Sequence, residues 1–224
     1  RPRRPVPPPR PVPDLSGKRH LLVLDVNGLL VDRRYAAEDK ATSRGAQALS
    51  ARVGSFAVYD RPHLASFVDF ALGSFAVGVW SSATHRNLAP LVSHIFGPRE
   101  PELAFVWDQS RCTRNGSRDP SNPRRPQLLK ELGRLWQADP ALGAFGPSNT
   151  LLVDDSVYKA ARNPANTAIH PRQYAATPAH EGDDALGEGG CLRRYLERLA
   201  GAERVDDFVK SEAYEEPPLP EPPE

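Results

Sequence analysis

The chain has 224 residues, 39% of them hydrophobic, with 29 Lys and Arg against 28 Asp and Glu, a formal net charge of +1. That is enough for one sizeable globular domain with a small insertion and tails, and the near balance of charge excludes a nucleic-acid binder that works by bulk electrostatics. The longest apolar run, FAVGVW, is far shorter than a membrane span, and the two cysteines, Cys112 and Cys191, lack disulfide-framework or metal-site spacing.

The chain opens on RPRRPVPPPRPVP and closes on EEPPLPEPPE, one stretch basic and the other acidic, both too rich in proline for a helix. Residues 1–17 are therefore expected as an extended arm and 213–224 as a mobile acidic tail, flanking one domain over 18–212. The arm's proline density argues against a transit peptide, which needs an amphipathic helix; the chain starts at Arg1 and contains no methionine, so an upstream leader or anchor stays open.

Inside the domain, HLLVLDV reads as a strand, and RPHLASFVDFAL places Leu64, Phe67, Val68 and Ala71 at helical spacing. FAVGVWSS is a second strand. THRNLAPLVSHIF reads as a helix whose Pro90 must sit in the first turn or kink it. LAFVWDQ is a third strand, and the polar stretch DQSRCTRNGSRDPSNPRRP, without periodicity, reads as a loop or insertion. PQLLKELGRLW is expected as a helix opened by proline, TLLVDDS as a fourth strand and TAIHP as a fifth, with CLRRYLERLA and VDDFV as closing helices. Such alternation specifies an α/β, Rossmann-like, mostly parallel sheet covered by helices on both faces, whose ligands bind beyond the carboxyl ends of the strands.

The residues just past those ends therefore converge. The first strand supplies Asp25 and Asn27, the second Ser81 and Ser82, and the fourth Asp154, Asp155 and Ser156. Carboxylates brought so close repel unless a proton or cation intervenes, and a hard oxygen-seeking ion such as Mg2+ is the natural resolution. Lys130, on the helix expected before the fourth strand, can bring a positive charge. A carboxylate nucleophile, a divalent cation, a hydroxyl and a lysine are what phosphoryl transfer requires. His63, His85 and His94 lack partner spacing and read as surface or satisfied core residues, and Trp80, Trp107 and Trp136 read as core packing.

Four ordered features then resemble the haloacid dehalogenase superfamily, specifically the RNA polymerase II C-terminal-domain phosphatases, their small-phosphatase relatives and the related mitochondrial inner-membrane import subunit. They are DVNGL after the first strand, YDRPHLASFV followed by VWSSA, LLKELGRLW, and VDDSVYKAARNPANTAIHP, within a span from about Lys18 to Val209. The resemblance implies that Asp25 is the nucleophile that becomes phosphorylated, that Ser81, with Ser82 beside it, and Lys130 hold and neutralise the phosphate, and that Asp25, the main-chain oxygen of Asn27, and Asp155 bind Mg2+, with Asp154 supporting or sharing it. Arg61 is a weaker candidate to orient the mouth.

The chain departs from the pattern at Asn27, where active members carry the aspartate that protonates the leaving oxygen and then activates water. An amide does neither, and the loss of general acid–base assistance costs roughly a hundred- to ten-thousand-fold in rate, about 3 to 5 kcal/mol. Leu29 replaces a threonine or valine, a milder change. Three functions follow: a Mg2+-binding phosphatase fold that binds phosphorylated protein segments and hydrolyses phosphoserine poorly; an active Mg2+-dependent serine phosphatase in which Asp32, His85 or water supplies the proton; and a non-catalytic import component binding presequence-type peptides. In each case a monomer is expected.

Overall fold

In the computed structural model, residues 13–36, 48–120, 122–138 and 140–218 are described. The expected arm over 1–12 and the last six tail residues lie outside them. Strand β1 is Leu21–Leu24, β2 Val31–Tyr35, β3 Ala51–Val53 and β4 Phe56–Asp60; helix α1 is Leu64–Ser74 and β5 is Ala76–Trp80. Then come α2 (His85–Phe96), β6 (Phe105–Trp107), β7 (Thr113–Asp119), β8 (Asn122–Leu129), α3 (Leu132–Trp136), β9 (Thr150–Val153), β10 (Ala168–Ile169), α4 (Cys191–Ala200) and α5 (Val205–Ser211). Among the described residues, no helix is long and apolar enough to cross a membrane.

Five parallel strands form the central sheet in the order β10-β9-β1-β5-β6, as the alternation of strands and helices requires. Because side chains alternate across a strand, β1 feeds two cores. Leu22 and Leu24 pack with Phe67, Val68, Leu88, Leu91 and Leu196 on the face covered by α1, α2 and α4. Leu21 and Val23 pack on the other face with Trp80, Leu132, Leu135 and Phe145. Helix α1 buries Leu64, Phe67, Val68, Ala71 and Leu72, the i, i+3, i+4 stripe read from the sequence. In α2 the buried residues are Leu88, Leu91, Val92, Ile95 and Phe96. Pro90 lies inside that helix rather than in its first turn, on the side away from these core residues.

Two further sheets extend the crossovers. Between β1 and α1, a three-stranded antiparallel sheet in the order β2-β4-β3 pairs Arg33 with Val58 and Tyr35 with Phe56. The β3–β4 turn is only two residues long, and Gly54 meets its left-handed requirement with φ of 58°. After β6, β7 and β8 form an antiparallel hairpin, with Thr113 opposite Leu129 and Asp119 opposite Asn122.

The hairpin corrects two expectations. The stretch read as a structureless insertion is its two strands, polar on both faces and so without an apolar period. The helix expected from Pro126 begins only at Leu132. Leu128, Leu129, Leu132 and Leu135 mimic helical spacing, but Leu128 and Leu129 pair with Arg114 and Thr113, and the Lys130 amide donates to Lys159 O at 2.8 Å. Lys130 therefore leaves a strand and is not on a helix.

Candidate active site

Register decides what meets at the mouth of the sheet. Leu24 of β1 pairs with Val153 of β9 on one side and Val79 of β5 on the other. Asp25 therefore emerges beside Asp154, its amide donating to Val153 O at 3.0 Å, with Ser81 one step further along on the opposite flank. Asp25 and Asp154 are buried, at 2% and 0% exposure, and Ser81 is buried at the end of β5. The Ser81 amide donates to Trp107 O at 2.8 Å and its hydroxyl oxygen accepts from the Ala83 amide at 3.2 Å, which fixes the turn carrying half-buried Ser82.

Carboxylate oxygens of Asp25, Asp154 and Asp155 lie within 4.8 Å of one another. Their chemistry fits a hard divalent cation, and Gly28 makes room for the set. With φ of 85°, this glycine turns the chain directly after Asn27, and a Cβ there would collide with Asp155 Oδ2. Ser156 ties down both neighbours: its amide donates to Asp154 Oδ1 at 2.9 Å and its hydroxyl to Asp155 Oδ1 at 2.8 Å. His170 Nδ1 lies 2.9 Å from Asp154 O.

Lys130 is fully buried in this cluster, 3.0 Å from Asp25 Oδ1 and 2.5 Å from Asp154 Oδ2. A second ammonium, which the sequence reading missed, completes the arrangement. Lys159 Nζ lies 2.7 Å from Asp25 Oδ2, 2.8 Å from Asp154 Oδ1 and 3.5 Å from Asp155 Oδ1. Lys159 belongs to the short 3-10 turn Val157–Ala160 that follows β9. Its one sequence signal is that place, in the turn past a strand that ends in two aspartates, where a lysine four residues after Asp155 reads as an ordinary surface pair.

The two lysines are fixed by one backbone clip. Besides the Lys130 amide bond to Lys159 O, Asn163 Nδ2 donates to Lys130 O at 2.9 Å and Asn163 Oδ1 accepts from the Leu132 amide at 2.9 Å. The electrostatics follow. Burial would raise the Asp25 carboxyl, but Lys130 and Lys159 outweigh it and hold it at about 2. Burial and the charge of Asp25 push Asp155 up to about 6. Burial alone would lower Lys159, yet Asp25 and Asp154 hold it well above the ordinary lysine range.

Asn27, half-buried, turns its side-chain oxygen to the Arg33 amide, which donates to it at 2.8 Å. Other candidates are placed elsewhere. Arg61 is buried and forks onto Asp183 with two 2.8 Å hydrogen bonds while reaching Leu29 O at 3.2 Å, so it braces the loop after Asp25 from behind. Asp32 Oδ2 accepts from Arg34 Nε at 2.8 Å and from the Ala176 amide at 2.9 Å, which commits it away from proton transfer. His85 is mostly exposed and faces Asp108 at 3.7 Å. Trp80 and Trp107 meet edge to face with centroids 4.9 Å apart, in the core as expected.

The family model described as NLI interacting factor-like phosphatase matches residues 20–208. An uncharacterised FCP1 homology domain-containing protein of Schizosaccharomyces pombe is 26% identical over 199 residues, covering 87% of this chain and 77% of its own. Among solved structures, the fission yeast RNA polymerase II CTD phosphatase Fcp1 bound to beryllium fluoride matches with a TM-score of 0.44 at 15% identity, over 86% of this chain and 54% of that one. A second structure, of Fcp1 as an essential RNA polymerase II CTD phosphatase, matches with a TM-score of 0.44 at 16% identity, over 83% and 54%. The chain thus spans about half the length of these solved chains.

Proposed function

Because the chain belongs to the NLI interacting factor-like phosphatase family, we propose that its acidic mouth binds Mg2+ and a phosphorylated protein segment and that it hydrolyses phosphoserine poorly. Asp25, Asp154 and Asp155, with the main-chain oxygen of Asn27, would hold the cation, which supplies neutralising charge to the phosphoryl oxygens.

The chain's own residues define the rest. Asp25 is ionised at any physiological pH and is the nucleophile: one of its oxygens bonds to phosphorus as the bond from phosphorus to the seryl oxygen breaks. Lys130 and the Ser81 hydroxyl hold the negative charge of the group in transfer. The departing alkoxide then needs a proton, and the residue beside it is Asn27. The observation that carries the reading is this amide, anchored on the Arg33 backbone and unable to give or take that proton. An aryl phosphate leaves as a phenolate without help. Water attack on the phospho-aspartate, which returns the Asp25 carboxylate, also lacks its base, so with an aryl phosphate, whose first step needs no acid, the phosphorylated form accumulates.

The test compares Mg2+-dependent hydrolysis of p-nitrophenyl phosphate and of a phosphoserine peptide by the chain and by Asn27→Asp. The Arg33 amide donates as readily to a carboxylate, so the variant keeps the fold and is expected to gain roughly a hundred- to ten-thousand-fold on phosphoserine. Unchanged phosphoserine turnover in Asn27→Asp, from a parent that is already fast, would contradict the reading. Peptide binding that persists in Asp25→Ala without Mg2+ would favour a scaffold of the import type instead.

A further inference from the structure

Other buried or half-buried arginines in this chain meet carboxylates: Arg61 has Asp183, Arg99 has Asp69 and Glu102, and Arg193 has Glu197. Arg33 is different. Its Nε and Nη1 are buried and find no hydrogen-bond partner among the described residues. Two guanidinium nitrogens buried without an acceptor on a half-buried residue are costly, and an anion would relieve that cost.

The side chain is held ready for one. Its backbone amide is the donor that anchors Asn27, its strand pairs with β4, and its guanidinium lies over the Phe56 ring at 4.2 Å. Tyr35, two residues on and so on the same face of the sheet, packs against that ring at 4.6 Å. Burial lowers the pKa of Arg33, as does Arg125, while Asp25 acts in the opposite sense, so the guanidinium lies within electrostatic reach of both the nucleophile and the hairpin. Arg125 is exposed on β8, whose end delivers Lys130 to the site, and Arg114, Arg118 and Arg124 are exposed on the same hairpin. The like charge of Arg125 disfavours the Arg33 guanidinium, and an anionic oxygen pair brought against it would offset that repulsion and give the unpartnered donors of Arg33 an acceptor.

We infer that Arg33, backed by Arg125, forms a second anion subsite beside the carboxylate cluster, taking a carboxylate or a second phosphate on the protein segment that flanks the phosphorylated residue. The subsite selects the segment and takes no part in the chemistry at phosphorus, and it rests on the function proposed above.

The test measures binding of labelled peptides to the whole chain with Mg2+ by fluorescence anisotropy. One peptide carries a single phosphoserine in a neutral context; others add a glutamate or a second phosphoserine a few residues to either side; inorganic phosphate competes as the internal reference. The chain is expected to prefer a doubly anionic peptide by roughly tenfold or more, the worth of a charge-assisted hydrogen bond. Glutamate and phosphoserine arms tell which source of charge it favours. Arg33→Gln and, on the exposed hairpin where folding is not at risk, Arg125→Gln should each reduce that preference. The absence of any such preference in the unaltered chain would overturn the inference while leaving the proposed function intact. So would an Arg33→Gln variant that loses inorganic phosphate as fully as it loses peptide, since Arg33 would then hold the transferred group itself. An unaltered chain that binds neither phosphate nor phosphopeptide would remove the proposed function, and the inference with it.

Discussion

Both oxygens of Asp25 carry an ammonium, Lys130 at 3.0 Å and Lys159 at 2.7 Å, and Lys159 also contacts Asp154 at 2.8 Å. A lysine in this position neutralises the same three carboxylates that a divalent cation would, so cation and ammonium compete for one set of oxygens. Lys159→Met is therefore expected to raise Mg2+ affinity at least about tenfold in calorimetric titration, and to lower the melting temperature of the metal-free protein. Equal or weaker Mg2+ binding in the variant would rule out competition. Asp155 sets the pH dependence. With its carboxyl pushed up to about 6, it is protonated below that pH, and Mg2+ must expel the proton. Mg2+ affinity should fall by up to about tenfold per unit as pH drops below about 6. The unfolded chain binds that proton only near the ordinary carboxyl range, so Asp155 makes the metal-free fold more stable as pH falls from about 6 toward 4. Asp25, held at about 2, works in the opposite sense, its contribution being lost below the ordinary carboxyl range.

At the scale of elements, the loop after β1 is braced by a buried ion pair. Arg61, at the end of β4, holds Asp183 and the Leu29 carbonyl together. Arg61→Ala leaves Asp183 without its partner and is expected to cost about 3 to 5 kcal/mol, read as a lower midpoint in urea. A midpoint within experimental error of the parent would show the brace to be idle. Such a residue was legible only as a candidate near the mouth, because the sequence does not reveal that Asp183, far along the chain, comes to meet it. The five parallel strands and the helices α1, α2, α4 and α5 were legible for a simple reason: apolar runs of strand length end in polar residues, and apolar stripes recur at helical spacing. The hairpin was not. Its strands bury little, so they leave no alternation, and Pro123 and Pro126 argue against any strand. The short antiparallel sheet of β2, β3 and β4 went unread as well, and Arg33 with it. Asp25, Asp154, Asp155, Ser81 and Lys130 were singled out by their place in an ordered pattern, and the fold brings the three aspartates and Lys130 together, whereas Lys159 enters the cluster only because a 3-10 turn folds it back over β9.

For the molecule as a whole, the parallel sheet supplies the carboxylates from its centre, while the turn after β9 supplies Lys159 and the inserted elements supply the other cations. The hairpin delivers Lys130 and presents Arg125, and the antiparallel sheet carries Arg33 and fixes Asn27 through its backbone. The C-terminal segment also returns to this end of the fold: Glu216 accepts from the Arg172 amide at 2.9 Å, two residues past His170, whose ring meets the Asp154 carbonyl. On the proposed function, charge is held around the phosphoryl position and the departing oxygen lacks a donor. The most direct measurement is the dependence of hydrolysis rate on the acidity of the leaving group, across a series of aryl and alkyl phosphates, for the chain and for Asn27→Asp. In the chain the rate is expected to fall steeply as the leaving alcohol becomes less acidic, with a much flatter dependence in the variant, where the introduced carboxyl can protonate the departing oxygen. An equally flat dependence in both proteins would mean that the chain already supplies the proton from another group.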